Sequence, residues 1–265
     1  MNETELLFTR VLNCQRQSLY LDKGLELNKK QAGFIAACLK RRISGEPIQY
    51  ILGNTEFMGF DFNVSPGCLI PRPETEILIE TAINCVKCLS PVKPRILEIG
   101  TGSGCIAVSL AKLLKNVLIT ATDISQKALD IAKSNALLNK VSDRIVFLNS
   151  DLFSSLPTCD KPYALCISNP PYIPSAEIQD LQPELQYEPR IALDGGIDGL
   201  DFYRRIIMQS ADYLKPGGFL IMEMGFGQCK KVKEIFKISE NFEIIKIVKD
   251  YSNIDRVVVA KINSK

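Results

Sequence analysis

Histidine is absent from this chain of 265 residues. Without an imidazole ring, serine–histidine and cysteine–histidine nucleophiles and a histidine general base are all excluded. A structural zinc site is not expected either, because Cys85 and Cys88 have no second cysteine pair at zinc-finger spacing. Any chemistry must therefore depend on other side chains.

Long apolar runs are also missing, and no stretch approaches the length that spans a membrane. The polar start, with Asn2, Glu3 and Thr4, is unlike a signal peptide. The nine cysteines, an odd number spread irregularly over the predicted elements, indicate reduced core thiols rather than a disulfide framework. We therefore expect a cytoplasmic protein without membrane contact.

The chain has little net charge. A value of +2 does not predict a surface that coats nucleic acid, and we interpret the basic residues 40–42 as a solvated helix end. The hydrophobic fraction of 46% and the charged fraction of 23% are typical of a globular protein with a substantial core. The length suits one large domain, or one domain with a smaller one beside it.

Residues 3–44 carry apolar side chains at helical spacing, which predicts several short helices, one of them capped by Asn28. Residues 48–64 mix aromatic and aliphatic residues with turn residues, which predicts a small hairpin or an extended linker. We place a domain boundary here. The predicted units are an N-terminal helical domain with the hairpin linker, residues 1–68, and a second domain, residues 69–265.

A proline-rich run at residues 69–76 leads rigidly into a helix that Pro73 or Thr75 starts and that runs to about Leu89, before Pro91 and Pro94. Short apolar runs then alternate with amphipathic segments, which predicts an α/β fold with a parallel sheet. The predicted strands are Arg95–Ile99, Val117–Thr122, Ile145–Leu148, Tyr163–Ile167 and Phe219–Met224, with Phe242–Val248 and Val257–Ile262 as a final antiparallel pair. A helix is predicted after the first strand and ends near Leu114. Further helices are predicted over about Gln126–Asn139, Gly199–Leu214 and Gln228–Phe236, with a turn at residues 215–218.

Glycines recur at alternate positions directly after the first of these strands, in the run Gly100, Thr101, Gly102, Ser103 and Gly104. Such a loop at the start of a helix lets the backbone approach a ligand closely. Asp123, at the end of the next strand, has the spacing expected of a carboxylate that binds ribose hydroxyls. Together they indicate a nucleoside-containing cofactor. Cys105 stands where a dinucleotide fingerprint needs glycine or alanine, which favours S-adenosylmethionine over NAD.

Two further features allow more than one interpretation. Asp151, after the third strand, either faces an adenine amino group or caps a helix that starts at Phe153. Residues 173–198 are rich in proline, acidic residues and glutamine, and a loop of this length inside a domain is usually functional. We interpret it as a lid or a substrate-docking wall, the alternative being an exposed insertion.

Two prolines follow the fully apolar fourth strand, in the run Ser168-Asn169-Pro170-Pro171-Tyr172. Because prolines cannot continue a sheet, the chain must leave it in a stiff turn that holds the Asn169 amide, two backbone carbonyls and the Tyr172 ring together. In an isolated loop, Asn169 would be an ordinary turn residue and Tyr172 a core aromatic. At the carboxyl end of a central strand, where α/β sheets bind ligands, the turn is instead suited to a flat, amide-like group.

These motifs, with residues 69–76 and the closing Asp255-Arg256-Val257, resemble the peptide chain release factor N5-glutamine methyltransferases, the HemK/PrmC family. The resemblance covers nearly the whole chain. The Asn-Pro-Pro-Tyr motif alone is shared with adenine-N6 DNA methyltransferases and with a ribosomal-protein glutamine methyltransferase, so it indicates only a planar NH2 target. The runs at residues 50–57 and 71–76 are typical of the release-factor branch.

The resemblance implies a class I S-adenosylmethionine-dependent methyltransferase fold, with a Rossmann-like seven-stranded sheet and a small N-terminal helical domain that recognises class 1 peptide chain release factors. It implies methyl transfer from S-adenosylmethionine to the side-chain amide nitrogen (N5) of the glutamine in a Gly-Gly-Gln motif, with no DNA partner. The alternatives are an adenine-N6 nucleic-acid methyltransferase, a ribosomal-protein glutamine methyltransferase, and a non-catalytic binding protein. The intact glycine loop, Asp123 and Asn169 argue against the last of these.

Cofactor roles follow from the same resemblance. Residues 100–104 are implied to hold the methionine part of S-adenosylmethionine, Asp123 the ribose, and Leu152 the adenine. Family members often have tryptophan at the position of Leu152, so this chain supplies apolar contact there without a stacking face. Asn169 is implied to border the cofactor as well.

Substrate roles centre on the proline turn. The resemblance implies that the Asn169 side-chain oxygen and the Pro170 carbonyl accept the two N–H bonds of the target amide. Pro171 completes this binding turn and Tyr172 packs on the amide plane. Three charged residues are open to two interpretations, as site residues or as structural links: Arg72 and Glu74, for which we favour pinning of the inter-domain linker, and Glu223.

Overall fold

Four short helices open the chain in the computed structural model, which describes residues 2–89, 93–157 and 163–263. They are α1 (Glu3–Leu12), α2 (Ser18–Leu21), α3 (Lys29–Ile43) and α4 (Ile48–Leu52). Asn28 caps α3 as predicted, because its side chain accepts from the Gln31 N–H while the Gln31 side chain accepts from the Asn28 N–H. The buried residues Leu7, Ile35, Cys38, Ile48 and Ile51 form a separate small core for these helices.

A two-stranded hairpin follows, formed by β1 (Asn54–Phe57) and β2 (Phe60–Asn63). The prediction of a hairpin was right for these residues and wrong for residues 48–52, which are helical. The hairpin packs against the large sheet and its helices: Phe57 and Phe62 belong to the core of that sheet, and the Asn63 N–H donates to Asn135 Oδ1 at 2.7 Å. A domain boundary at residue 68 stays a prediction.

The remaining elements build a seven-stranded sheet and its covering helices. They are α5 (Pro73–Lys87), β3 (Arg95–Ile99), α6 (Cys105–Leu113), β4 (Leu118–Asp123), α7 (Gln126–Leu138), β5 (Ile145–Asn149), β6 (Tyr163–Ser168), α8 (Asp201–Ser210), β7 (Leu214–Glu223), α9 (Cys229–Ser239), β8 (Phe242–Lys249) and β9 (Asp255–Ile262). The strand order is β5-β4-β3-β6-β7-β9-β8. The first five strands in this order are parallel, and β9 is antiparallel to β7 and β8, which confirms the predicted final pair.

Strand β6 is the centre of the sheet, and all six of its residues are buried. From Leu165 onward its side chains alternate between two cores: Leu165 and Ile167 belong to the core beneath α5 and α6, whereas Cys166 belongs to the core beneath α8 and α9. Tyr163, at the start of the strand, also packs in the second of these cores. A strand covered on both faces must be continuously apolar, which is the pattern that predicted it. The Asn-Pro-Pro-Tyr turn therefore leaves the sheet from an interior strand.

One predicted turn has a different form. Residues 215–218 lie inside β7, where the pairing with β6 moves from Tyr163 opposite Leu214 to Leu165 opposite Phe219. The extra residues form a bulge, so the strand begins earlier and α8 ends earlier, at Ser210, than the apolar pattern suggested. Pro91, which was predicted to bound α5, lies outside the described residues.

The described part of the chain holds eight cysteines, all of them free thiols, and Cys159 falls outside it. Cys38, Cys68, Cys105 and Cys166 are buried, but Cys88 is exposed and is not a core thiol. Across residues 2–89, 93–157 and 163–263, no helix combines the length and the hydrophobicity needed to cross a membrane.

Candidate active site

The strand order reverses direction between β3 and β6, so the loops after their carboxyl ends diverge and leave a crevice. An open cleft lies there, and the space within it that is not filled by protein, including the part open to solvent, is about 940 Å³. Its walls include the glycine loop, the ends of β4 and β5, and the Asn-Pro-Pro-Tyr turn. The structure thus brings together the motifs that were predicted to form one site.

The glycine loop faces this cleft through two of its three glycines. Gly100 and Gly102 have φ angles of 74° and 55°, and apart from the adjoining residues of the chain no described atom lies within 4 Å of the position a Cβ would take at either. Both line the cleft, so a side chain there would enter the space that a ligand can fill. Gly104 differs, because a Cβ on it would lie 2.9 Å from the Ala132 Cβ on α7. The third glycine therefore serves helix packing.

Asp123 lies at the end of β4 and lines the same cleft. Its Oδ2 accepts the Gly102 N–H at 2.8 Å, and its Oδ1 accepts the Ser125 N–H at 2.9 Å. Burial raises the pKa of this carboxyl, and the backbone hydrogen bonds oppose that rise. A carboxylate offers about four lone-pair positions, so it can accept a hydrogen bond from a hydroxyl group in addition to these backbone bonds.

Glu98 supports the glycine loop through Thr101, a role that the sequence analysis did not assign. It is fully buried in β3 beneath the glycine loop, and its Oε2 accepts from Thr101 Oγ1 at 2.8 Å. Its Oε1 has no partner among the described residues, and neither has the buried Ser103 Oγ. Burial raises the Glu98 pKa to about 8. The sequence did contain a signal for this residue, because a carboxyl group between the apolar residues of a predicted strand is unusual.

Leu152 follows β5 in a left-handed conformation, with φ of 51°, and lines the cleft. Asp151 beside it accepts two hydrogen bonds from Arg205 Nη2, each at 2.8 Å. The chain forms turns at residues 152–155, so the interpretation of Asp151 as the cap of a helix at Phe153 was wrong. Asp151 lines the cleft, where α8 adds the aromatic ring of Phe202.

A hydrogen-bonded line supports Asn169 from behind. Asn169 Nδ2 donates to Thr75 Oγ1 at 3.1 Å, and Thr75 Oγ1 donates to Glu223 Oε2 at 2.8 Å. Glu223 is buried, which raises its pKa to about 7. Since the amide nitrogen is used on this side, the Asn169 side-chain oxygen is left as an acceptor. Sequence reasoning left the role of Glu223 open and did not predict one for Thr75 beyond helix entry.

A second cavity, of about 800 Å³, lies on the other side of Asn169. Arg72, Glu74, Tyr172, Glu223 and Arg256 are among the residues that line it. It shares Leu69, Asn169, Pro170 and Ala192 with the cleft that the glycine loop borders. The two cavities therefore meet at the first two residues of the Asn-Pro-Pro-Tyr turn. Pro171 lines the cleft that the glycine loop borders and does not line the second cavity.

Tyr172 is partly exposed to the second cavity, and its surroundings hold the turn in place. Gln228 Nε2 donates to the Tyr172 carbonyl at 2.9 Å, and a Cβ on Gly195 would lie 2.8 Å from the Tyr172 Cα. Burial raises the pKa of the phenol to about 12, so the ring carries no charge at neutral pH. Tyr172 thus offers the cavity an aromatic surface.

Arg72 combines the two roles that the sequence left open. It forms an ion pair with the buried carboxylate of Glu188, which also accepts the Ile70 N–H at 3.2 Å. This pins residues 70–72 to the segment 173–198, while Arg72 and Glu74 both line the second cavity. Arg72 therefore forms the structural link that we favoured. Arg72 and Glu74 also both lie at the second cavity, as the alternative interpretation proposed.

The segment at residues 173–198 forms a wall of both cavities through Leu185, Ala192 and their neighbours. It contains the 3-10 helices Ile178–Asp180, Pro183–Tyr187 and Arg190–Ala192. The Tyr187 hydroxyl donates to the Ser44 carbonyl at 2.8 Å, and Arg42 pairs with Glu184 at 2.7 Å, so the wall contacts the N-terminal helices. An exposed insertion is excluded.

The sheet order and the glycine loop at its switch point define a class I methyltransferase fold. A solved structure described as a methyltransferase from Pyrococcus furiosus shares this fold, with a TM-score of 0.56 and 18% identity, over 90% of this chain and all of that one. The family model described as the methyltransferase small domain matches residues 75–185, and that of the PrmC N-terminal domain matches residues 1–53.

Relatives define the family more narrowly. A release factor glutamine methyltransferase of Geobacter sulfurreducens is 42% identical to this chain over 261 residues. The alignment covers 98% of this chain and 89% of the Geobacter sulfurreducens protein. A protein of the same name in Thermodesulfovibrio yellowstonii is 40% identical over 260 residues, and that alignment covers 98% of this chain and 91% of the Thermodesulfovibrio yellowstonii protein. This chain belongs to the release factor glutamine methyltransferase family.

Proposed function

We propose that this protein transfers a methyl group from S-adenosylmethionine to the side-chain amide nitrogen (N5) of the glutamine in the Gly-Gly-Gln motif of class 1 peptide chain release factors. The observation that carries the proposal is the meeting of two cavities at Asn169 and Pro170. One cavity suits a nucleoside cofactor, and the other suits a side chain with a planar NH2. The names of the relatives support a release factor as the partner.

The glycine-loop cleft is the proposed cofactor site. When bound, S-adenosylmethionine supplies an electrophilic methyl group. The open spaces at Gly100 and Gly102, both of which line the cleft, fit a ligand lying against the backbone of the glycine loop. We assign the ribose hydroxyls to Asp123 and the adenine to Leu152, and the position of both residues in the wall of the cleft supports this.

The second cavity is the proposed glutamine site. An amide nitrogen is a weak nucleophile, because its lone pair is delocalised into the carbonyl. Asn169 Oδ1 and the Pro170 carbonyl accept its two N–H bonds, which orients the nitrogen and stabilises the positive charge that develops on it. Tyr172 packs on the amide plane, and Pro171 keeps the turn rigid. The released proton passes to water, so the absence of histidine is no obstacle.

The N-terminal helical unit, which we assign to residues 1–68, is the proposed recognition domain for the release factor. Arg42 of this unit forms an ion pair with Glu184 of the segment at residues 173–198, next to the second cavity. A docked release factor can therefore touch the helical unit and place its glutamine beside Asn169. We place this activity in the cytoplasm, where release factors act on ribosomes, without a DNA or membrane partner.

The test is transfer of labelled methyl groups. The protein is incubated with labelled S-adenosylmethionine and one acceptor at a time: a purified class 1 release factor, its Gly-Gly-Ala variant, DNA, or ribosomal protein. We expect label on the unmodified release factor alone. Label only on DNA or on ribosomal protein, or equal label on the Gly-Gly-Ala variant, would contradict the proposal. Cofactor binding without label on any acceptor would indicate a non-catalytic binding protein.

A further inference from the structure

Three polar side chains from distant parts of the chain form one line behind the proposed glutamine site. Asn169 follows β6, Thr75 lies in the first turn of α5, and Glu223 ends β7. The Asn169 Nδ2 to Thr75 Oγ1 distance is 3.1 Å, and the Thr75 Oγ1 to Glu223 Oε2 distance is 2.8 Å. Thr75 and Glu223 are only 2% and 1% exposed, so water does not compete for these bonds.

The carboxylate of Glu223 determines which group donates and which accepts in each hydrogen bond of the line. An ionised carboxylate can only accept, so the Thr75 hydroxyl must donate to Glu223. The Thr75 oxygen then has only lone pairs left for Asn169 and accepts its NH2 group. This leaves the Asn169 oxygen on the opposite side, at the edge that the two cavities share.

Packing by itself cannot set this orientation, because the oxygen and the NH2 group of an amide have nearly the same size. A flipped Asn169 would present a donor to the NH2 group of the target and would place its own oxygen against the lone pairs of Thr75. Two donors cannot pair with one another, so the flipped form cannot hold the target. The orientation therefore has to come from the hydrogen-bonded line.

We propose that Thr75 and Glu223 are positioning residues, which hold the Asn169 side-chain oxygen as an acceptor at the shared edge of the two cavities. This inference rests on the proposed function in that Asn169 binds a planar NH2 group. It applies equally to glutamine and to adenine targets, so it does not depend on which acceptor is methylated.

Protonation of Glu223 should weaken the line. Burial, aided by the charge of Glu74, raises its pKa to about 7, while hydrogen bonds from Thr75 and from the Asn169 amide and the charge of Arg256 oppose that rise. A protonated Glu223 can donate to Thr75, whose hydroxyl is then free to donate to a flipped Asn169. Turnover should therefore fall as the pH drops below about 7. The other titratable groups that interact with Glu223 are Glu74 of α5, Cys105 of α6, Tyr172 of the turn and Tyr203 of α8.

The first test replaces Thr75 by valine, which keeps the shape and removes the hydroxyl. We expect kcat to fall on the order of 100-fold, as for a misplaced catalytic group, with little change in the KM for the acceptor or in cofactor affinity. Thr75→Ser should restore most of kcat. The matched control is Thr81→Val, the same change at another buried threonine of α5, which should keep wild-type kcat.

A second variant and a direct readout separate positioning from a purely structural role. Glu223→Gln should remove the fall in kcat near pH 7, because the residue no longer titrates. In nitrogen-15 NMR spectra, the side-chain NH2 signals of Asn169, assigned by their loss in Asn169→Ala, should show slow hydrogen exchange in the wild type and fast exchange in Thr75→Val. The NMR result does not depend on any acceptor or on turnover.

Wild-type kcat in Thr75→Val, failure of Thr75→Ser to restore it, or an equal loss in Thr81→Val would overturn the inference. So would unchanged exchange of the Asn169 signals. Failure of the proposed function has a different signature, because the wild type would then label DNA or ribosomal protein instead of the release factor. The same variants assayed with that acceptor would still show the loss and the rescue.

Discussion

Gly102→Ala tests the proposed cofactor site with the least disturbance of the fold. The residue has a φ of 55°, and apart from the adjoining residues of the chain no described atom lies within 4 Å of the position of an added Cβ. The variant therefore has no internal clash and carries only the strain of a left-handed alanine, roughly 1–2 kcal/mol. For a chain of this size, each kcal/mol lowers Tm by about 2–4 °C. We expect Tm to fall by about 2–8 °C.

Cofactor affinity should fall as well. The added methyl group enters the cleft that Gly102 lines, next to the Asp123 carboxylate that its N–H contacts at 2.8 Å. Crowding of a closely packed contact by one methyl group costs about 1–3 kcal/mol. The Kd for S-adenosylmethionine should therefore rise about 5- to 150-fold. Calorimetric titration gives this value, and thermal unfolding of the ligand-free protein gives the strain.

Gly59→Ala is the matched control, because Gly59 has a φ of 75° and equally open surroundings in the hairpin turn, away from the cleft. We expect a similar loss of Tm and unchanged cofactor affinity. If Gly102→Ala binds S-adenosylmethionine as tightly as the wild type, the ligand does not lie against this loop. If Gly59→Ala loses affinity to the same extent, backbone strain rather than crowding is the cause.

Two further predictions concern buried polar groups. Asn169→Ala should abolish methyl transfer while calorimetry shows cofactor affinity largely retained, and measurable turnover near the wild-type rate would refute the role of its oxygen. Glu98→Gln should flatten the dependence of stability on pH. Since burial raises the Glu98 pKa from 4.5 to about 8, the folded state keeps a proton that the unfolded chain releases over this range. Stability from this group is thus lost as the pH rises, by up to about 5 kcal/mol. Chemical unfolding at both ends of the range measures the loss, and an equal loss in Glu98→Gln would contradict the assignment.

Local signals were strong enough to predict the elements that carry the site. The apolar run before the glycine loop gave the bounds of β3, and the run before the Asn-Pro-Pro-Tyr turn gave β6 to within one residue. Glycine and proline restrict the backbone of their own segment, whatever surrounds them. The glycine loop, the Asn-Pro-Pro-Tyr turn and the parallel arrangement of their strands are therefore predictable from the amino-acid sequence alone.

The errors lie where short segments depend on their neighbours. Residues 48–52 are helical because their apolar side chains complete the small core around Ile35 and Cys38, which no local pattern reveals. Residues 215–218 have the composition of a turn, yet pairing of β7 with β6 on both sides draws them into a strand as a bulge.

The support of Asn169 depends on contacts between parts of the chain that are far apart in sequence. Thr75 and Glu223 are separated by 148 positions, and Asn169 and Thr75 by 94. A threonine in the first turn of a helix and a glutamate at the end of a strand have no distinctive local pattern. Packing of α5 across the ends of β6 and β7 brings them to within hydrogen-bonding distance. Sequence patterns locate the residues that line the two cavities, whereas burial and long-range contacts set their orientation and charge.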